Sequence, residues 1–407
     1  MTTLNTPICI VGAGPAGSTA SLFLSKYGIP HILTDRQSFP RDKVCGEQFS
    51  GRVSHVLKEL DPKWEEEMVS QGILYKSRDL YCSLQPENKV ARIHFNKNSS
   101  PLLKAKRTLF DNFLYQKAKK SSFVRCLDNT YLTHFEKKDN GVLIMDKKET
   151  IQITAQLVLF CTGEKTIFFR QLFGEQYSEE GDTFLLLRRY YKPSQLNVVG
   201  GFTTETYIVT KPFKHIVLVN PMSDNTTMVE IGIFKPIAQQ FGGQLDQLMD
   251  TSLNTIDNLR GRFTVDNLIE KTKGSSMLLG KNPRMLSAER MLLVGSAIGS
   301  IHPITGYGVG HAMRSAQLAA FWAAESIKAN DFSSIFLKKY DKNVLKRMKS
   351  DFKLGVFILW ALKNFWFSLP LMRLFMVSKW LTTAVTHPRF YRNAINPLFY
   401  MRQILKH

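Results

Sequence analysis

The sequence Gly12-Ala13-Gly14-Pro15-Ala16-Gly17 has the residue types and spacing to bind a phosphate anion. A GxGxxG of this kind allows a tight turn at Gly12, close approach of a pyrophosphate at Gly14, and close helix–strand packing at Gly17. Ala16 lies in the turn between the last two glycines. A helix starting here offers unpaired N–H groups and a favourable dipole to a diphosphate. Asp35 lies 18 residues past Gly17, where a carboxylate can accept hydrogen bonds from a ribose diol, and Arg36 follows it. A second glycine-rich stretch, Gly295-Ser296-Ala297 through Pro303, Gly306 and Gly308, offers further backbone N–H groups to a planar or anionic group.

The elements around these residues are legible. Ile8-Cys9-Ile10-Val11 is an apolar run suited to a buried parallel strand, and it enters the turn directly. Residues 18–27 read as a helix ended by Gly28, and His31-Ile32-Leu33-Thr34 reads as the next strand, closing on Asp35. Strand, turn, helix, strand and acid in that order predict a dinucleotide site. Near the other end, Met291-Leu292-Leu293-Val294 predicts a strand, followed by the second glycine loop and a helix through Ala320. Between them, the β-branched and aromatic runs at 183–191, 205–209, 215–219 and 228–234 join 80–84 and 91–95 in one expected antiparallel sheet.

Four segments in order give the chain a resemblance to a known family. They are the fingerprint ending in Asp35-Arg36, the segment Phe39-Pro40-Arg41-Asp42-Lys43-Val44-Cys45-Gly46-Glu47, the helix start Lys106-Arg107-Thr108-Leu109-Phe110-Asp111, and the loop from Gly295 to Gly308. On these residues the chain resembles the p-hydroxybenzoate hydroxylase-like superfamily of FAD-dependent enzymes, and within it the geranylgeranyl reductase family. The resemblance implies an α/β fold: a Rossmann-like FAD-binding domain (1–78, 101–175, 280–330), an inserted antiparallel β-sheet substrate domain (79–100, 176–279), and a C-terminal helical segment (331–407). It implies FAD, with NAD(P)H as a transient electron donor. Gly12, Gly14, Ala16 and Gly17 would hold the pyrophosphate, Asp35 and Arg36 the adenosine end, and Arg107 the phosphates or ribityl chain. Pro303, Gly306 and Gly308 would face the isoalloxazine, with Arg41, Cys45 and Gly46 on its substrate side, and Gly295 and Ser296 belong to the motif that binds the ribityl hydroxyls. Ser296 stands where the family usually has Asp. Loss of that charged hydrogen bond is expected to weaken cofactor binding by about 1.5–3 kcal/mol.

Cys45 is the candidate catalytic residue, as a proton source beside the flavin; the competing role is a small buried apolar side chain. His302 reads either as a donor to flavin or substrate or as a structural histidine, and Glu47 either as an acid–base group or as a solvated carboxylate. The expected activity is reduction of a C=C bond in a hydrophobic, isoprenoid or polyene-like substrate. NAD(P)H-driven hydroxylation by a monooxygenase is the alternative, and a non-catalytic membrane-associated flavoprotein-like protein is a third reading.

Composition bounds these readings. With 44% hydrophobic and 22% charged residues, the 407-residue chain is globular. Five widely spaced cysteines without a CxxC pair argue against a disulfide framework and against a metal site. The 54 Lys+Arg and 34 Asp+Glu leave +20, and 328–407 alone hold fifteen against three, or +12. Lys342, Lys346, Lys349 and Lys353 fall on one helical stripe, followed by Trp- and Phe-rich sequence to 381. That pattern predicts peripheral contact of 342–381 with an anionic membrane, without nucleic acid as a partner. Its longest uncharged runs are about nine residues, roughly half a bilayer span. With no leader peptide evident, the expected location is cytoplasmic, peripheral on the inner face of the membrane.

Overall fold

Ile8, Cys9, Ile10 and Val11 are all buried, as a strand covered on both faces requires. A computed structural model describes residues 1–45, 47–95, 100–163, 168–173, 182–193, 204–280 and 286–363. In it the strand Thr2–Val11 lies between Ile151–Phe160 and His31–Thr34, parallel to both. Val124–Leu127 extends this sheet on one side and Met291–Leu293 on the other, again in parallel. An antiparallel meander, Leu132–Lys138 with Gly141–Asp146, runs into Ile151–Phe160. The helices Pro15–Lys26, Arg107–Lys119 and Val309–Ala329 pack in the same apolar core.

The second sheet has seven strands among the described residues. Their order is Leu268–Leu279, Asp182–Tyr191, Thr227–Phe234, His215–Pro221, Glu205–Val209, Asp79–Gln85, Lys89–His94. Its two faces follow the period of two. Val217, Val219, Val229, Ile231 and Ile233 point to one side and form a separate core with Leu248, Met249 and Leu253 of the helix Leu245–Thr255. Their alternates Ile216, Leu218, Glu230, Gly232 and Phe234 point to the other side and line a cavity. The strand Leu268–Leu279 and the helix Leu245–Thr255 lie outside the sequence expectation. The strand is half exposed and carries Glu270, Lys271, Thr272 and Lys273 in succession, so its apolar content falls below that of its neighbours.

The C-terminal part that sequence set apart begins as one helix, Ser334–Lys363, integral to the body. Leu337, Tyr340 and Val344 are buried in the main core, and the Tyr340 hydroxyl donates to the Leu293 carbonyl (2.7 Å). Farther along, Leu359 joins Phe184, Leu186, Leu279 and Ile301 in a cluster facing the cavity. The Trp- and Phe-rich sequence from 364 to 381 lies outside the described residues. No helix among the described residues is long and apolar enough to cross a membrane.

Lys104 ends the strand Leu102–Lys104, central in a small three-stranded sheet, and is fully buried. Its ammonium donates to Thr204 and lies 5.7 Å from the Tyr75 ring. Burial pulls its pKa down to about 7, with the charge of Glu205 opposing. The folded pKa is below the unfolded one, so the unfolded chain binds more protons between pH 7 and 10.5. Stability from this group therefore rises with pH across that window and is lowest below pH 7, with a slope of up to about 1.4 kcal/mol per pH unit. Relative to Lys104→Met, wild type is expected to gain stability between pH 7.5 and 9.5. Chemical denaturation of both proteins at the two pH values checks this.

Candidate functional site

Two of the three glycines in the first turn stand where no side chain fits. Gly12 has φ +99°, and a Cβ on it would lie 2.6 Å from the Cys161 carbonyl oxygen. A Cβ on Gly17 would lie 1.7 Å from the Gly12 oxygen, so helix Pro15–Lys26 rests directly on the turn. Gly14 is different: only the Arg41 guanidinium, at 3.0 Å, approaches its absent Cβ, and Gly14 faces the cavity. The helix therefore opens its N-terminal amides onto free space, the arrangement that suits a diphosphate.

Asp35 caps this turn from the second strand. Its carboxylate accepts from the Ala13 amide (2.8 Å) and the Gln37 amide (3.0 Å). Arg36 lies 6.0 Å over the Tyr131 ring, and both line the cavity rim beside Asp35. Arg41, expected on the flavin's substrate side, instead lies against the fingerprint. Its guanidinium is 3.9 Å from Asp35, 3.5 Å from Asp111 and close to Gly14. Arg107 is buried and held in a fork by Asp111, with Nε–Oδ1 at 2.7 Å and Nη2–Oδ2 at 2.6 Å. It also engages the Cys45 thiol, and both residues line the cavity.

The second glycine loop closes the other side. His302 Nδ1 accepts from the amides of Ile304 (3.2 Å) and Thr305 (3.3 Å), so this nitrogen shapes the loop. Its ring lies 5.7 Å from Phe352, and Gly355 leaves room for it in the C-terminal helix. Ser296, Pro303, Gly306 and Gly308 line the cavity, and the helix Val309–Ala329 begins there. Gly295 does not line it; its amide donates to Ser315 (3.0 Å), and it separates Ala16 from Ala312. Ala16 reaches the cavity, Gly17 does not, and Gly46 lies outside the described residues.

These surfaces enclose one continuous cavity of about 1170 Å³. One end carries Gly12, Gly14, Asp35, Arg41 and Arg107; the other is walled by Phe184, Leu186, Phe234, Met277, Ile301 and Leu359. Such a volume exceeds what one drug-sized ligand needs. The residues fit an extended dinucleotide at the polar end: a glycine turn open at Gly14, helix amides, a carboxylate at Asp35 and two guanidinium groups.

Beside the cavity, reaching its lining at Asp42, Arg107 and Glu230, lies an ionic cluster that sequence reasoning did not assemble. Glu47, at φ +52°, accepts from Arg188 Nη1 (3.0 Å), the Tyr190 hydroxyl and the Arg107 amide (3.2 Å). Arg188 also donates to Asp42 (2.9 Å) and Glu270 (3.4 Å). Burial pushes Glu47 up to about 7, against the pull of Arg188, Tyr190 and Arg107. Glu230 is pushed up to about 8 by burial and the nearby charge of Glu47, with Arg188 opposing. Charged residues at inward positions of otherwise apolar strands were the available sign: Arg188 in Phe184–Tyr191 and Glu230 in Met228–Phe234.

Comparison with known proteins agrees with this geometry. A family model described as an FAD binding domain matches residues 5–349. The chain is 25% identical over 346 residues to the digeranylgeranylglycerophospholipid reductase of Thermoplasma acidophilum, covering 84% of each. It is 24% identical over 335 residues to a 1H-pyrrole-2-carbonyl-(peptidyl-carrier protein) brominase of Pseudoalteromonas luteoviolacea, covering 81% of this chain and 80% of that one. In structure it is similar to a geranylgeranyl bacteriochlorophyll reductase-like protein from Thermoplasma acidophilum, with a TM-score of 0.80, 20% identity and 97% of each chain covered.

The two kinds of glycine separate by experiment. Gly17→Ala puts a methyl group onto a backbone oxygen and is expected not to give a folded protein. Gly14→Ala meets only the movable end of Arg41, so its melting temperature should stay within a few degrees while FAD affinity falls about tenfold or more. Thermal melting and fluorescence titration with FAD read the two effects.

Proposed function

The chain belongs to the FAD-binding-domain family and is an FAD-dependent oxidoreductase, and from that premise we propose that it reduces a carbon–carbon double bond of a hydrophobic, isoprenoid- or polyene-like substrate. The observation that carries this reading is the single cavity, anion-binding at one end and apolar at the other, with no wall between them. Similarity to a digeranylgeranylglycerophospholipid reductase over most of both chains supports it. Reduced FAD would supply the hydride, with NAD(P)H as a transient electron donor.

The protein's own part is binding, orientation and proton supply. Gly12, Gly14 and the amides of Ala16 and its neighbours would hold the diphosphate, with Gly17 and Gly295 setting the helix packing that keeps those amides in place. Asp35 and Arg36 would hold the adenosine end. Arg41 would add positive charge at the fingerprint, and Arg107, fixed by Asp111, would do so nearer the ribityl chain. Ser296 would offer a neutral hydroxyl where a carboxylate would bind more strongly, and Pro303, Gly306 and Gly308 would border the ring. Phe184, Leu186, Phe234 and Leu359 would exclude water from the apolar end. Cys45, with Gly46 next to it in sequence, would deliver the proton to the second carbon, its thiol oriented by Arg107.

The helix that lines the cavity with Leu359 turns two rings outward. Phe357 and Trp360 are 62% and 55% exposed and stack at 6.1 Å, while Lys342, Lys346 and Lys353 are exposed on the same helix. Peripheral contact of this surface with an anionic bilayer would place the apolar end beside the store of its substrate.

Three outcomes check these roles. Anaerobic incubation with reduced FAD and a prenyl alcohol should yield a product two hydrogens heavier by mass spectrometry. A product that appears only with oxygen and carries one added oxygen atom would establish hydroxylation instead. Cys45→Ala should keep FAD content while turnover falls about 10²-fold, the low end for loss of a positioned proton donor. Phe357→Ala/Trp360→Ala should pellet less with anionic liposomes than wild type; equal pelleting would defeat the membrane proposal.

A further inference from the structure

Among the described residues that the second sheet turns to the cavity, Glu230 is the one carboxylate, and its flanking positions along the strand and in the register are mostly apolar. Counting along Thr227–Phe234, the positions that line the cavity are Glu230, Gly232 and Phe234, while Met228 on the same face is buried with Tyr190 and Met222. Gly232 and Glu230 have register partners on both sides, Phe234 on one. Phe234 pairs with Phe184; Gly232 pairs with Leu186 and Ile216; Glu230 pairs with Arg188 and Leu218. Glu230 is 2% exposed, and its Oε2 has no hydrogen-bond partner among the described residues. Arg188, the one cation beside it in the register, directs its guanidinium nitrogens at Glu47, Asp42 and Glu270 instead.

A second polar group is left open at the same end. Asn220 pairs with Met228, which makes it the diagonal neighbour of Glu230 on the same face. It is 1% exposed, and neither its amide nitrogen nor its carbonyl oxygen has a partner among the described residues. Buried polar side chains are almost always paired, and two neighbours left open in one place call for a ligand. From Glu230 the wall continues as Gly232 and Phe234, about 13 Å at ~3.3 Å per residue, flanked by Ile216, Leu186 and Phe184.

We propose that Glu230 is a head-group subsite, binding a hydroxyl or carbonyl oxygen at the end of an apolar chain that lies along Gly232 and Phe234. The substrate is then an amphiphile with one polar end, not a plain hydrocarbon. Because burial raises its pKa, Glu230 is an acid at neutral pH and donates its proton to that oxygen. Asn220 lies behind it, positioned to complete the polar end. The inference rests on the apolar-substrate reading above and narrows it.

The test uses full-length purified holoprotein and two probes of equal carbon skeleton: geraniol and the hydrocarbon that lacks its hydroxyl. Binding is followed by calorimetry. Wild type is expected to bind the alcohol about tenfold more tightly, the scale of one net hydrogen bond. Glu230→Leu should lose that preference and bind the hydrocarbon at least as well as wild type, whereas Glu230→Gln should keep most of it. Infrared difference spectra of wild type supply a readout that needs no variant to fold: the protonated carboxyl stretch near Glu230 should shift with geraniol and stay put with the hydrocarbon. An unchanged stretch with bound geraniol, or an unchanged preference in Glu230→Leu, overturns the subsite and leaves the apolar-substrate reading standing. If wild type binds neither probe, the apolar-substrate reading falls and the subsite falls with it.

Discussion

A buried guanidinium joins the two halves of this protein. Arg188 stands on a ceiling strand of the second sheet and is 1% exposed, yet its partners Glu47 and Asp42 belong to the segment that follows the nucleotide fingerprint. Two separate apolar cores are thereby tied across the cavity by ion pairs. Apolar contact alone would close the gap, since hydrophobic surfaces bury against each other without direction. A charged pair with fixed donor geometry holds the surfaces at a set separation. Removing one partner from such a pair costs about 3–5 kcal/mol, mostly from the charge left behind.

The cavity beside the cluster around Arg188 changes in chemistry from one end to the other. On one side Arg107, Arg41 and the open helix amides gather positive potential for an anionic cofactor. On the other, alternation along Asp182–Tyr191 and Thr227–Phe234 turns Phe184, Leu186 and Phe234 inward. Cys45 lines the cavity at the boundary, against Arg107, while Glu47 is buried under Arg188 outside the lining. A reacting bond placed at this boundary would meet cofactor, proton source and dry wall together, and that is why the position of the loop carrying Cys45 matters more than its reactivity alone.

Much of this was legible in the sequence because it is local. The turn Gly12–Gly17, the strand Ile8–Val11 and the acid Asp35 lie within 30 residues, and their spacing encodes their geometry. The loop Gly295–Gly308 is similarly self-contained. The Glu47–Arg188 pair joins residues 141 positions apart, and neither has a spacing rule that predicts the other. Arg41 illustrates the same limit: its neighbourhood in sequence pointed to the substrate side, but its long side chain reaches back to Asp35 and Asp111. The tail was half legible. Its charge was visible, while the burial of Tyr340 and Leu359 depends on which face of Ser334–Lys363 meets the body. The concentration of +12 in 328–407 thus belongs to a helix that is core on one side and basic and aromatic on the other.

The proposed function requires cofactor and apolar substrate to share one cavity. The direct measurement is the visible absorption spectrum of the purified protein during titration with a long-chain prenyl alcohol. The account predicts a yellow protein with one FAD per chain whose flavin bands shift, saturably, as the lipid binds. A flavin spectrum that stays unchanged while the lipid demonstrably binds would place the two ligands in separate sites and contradict it.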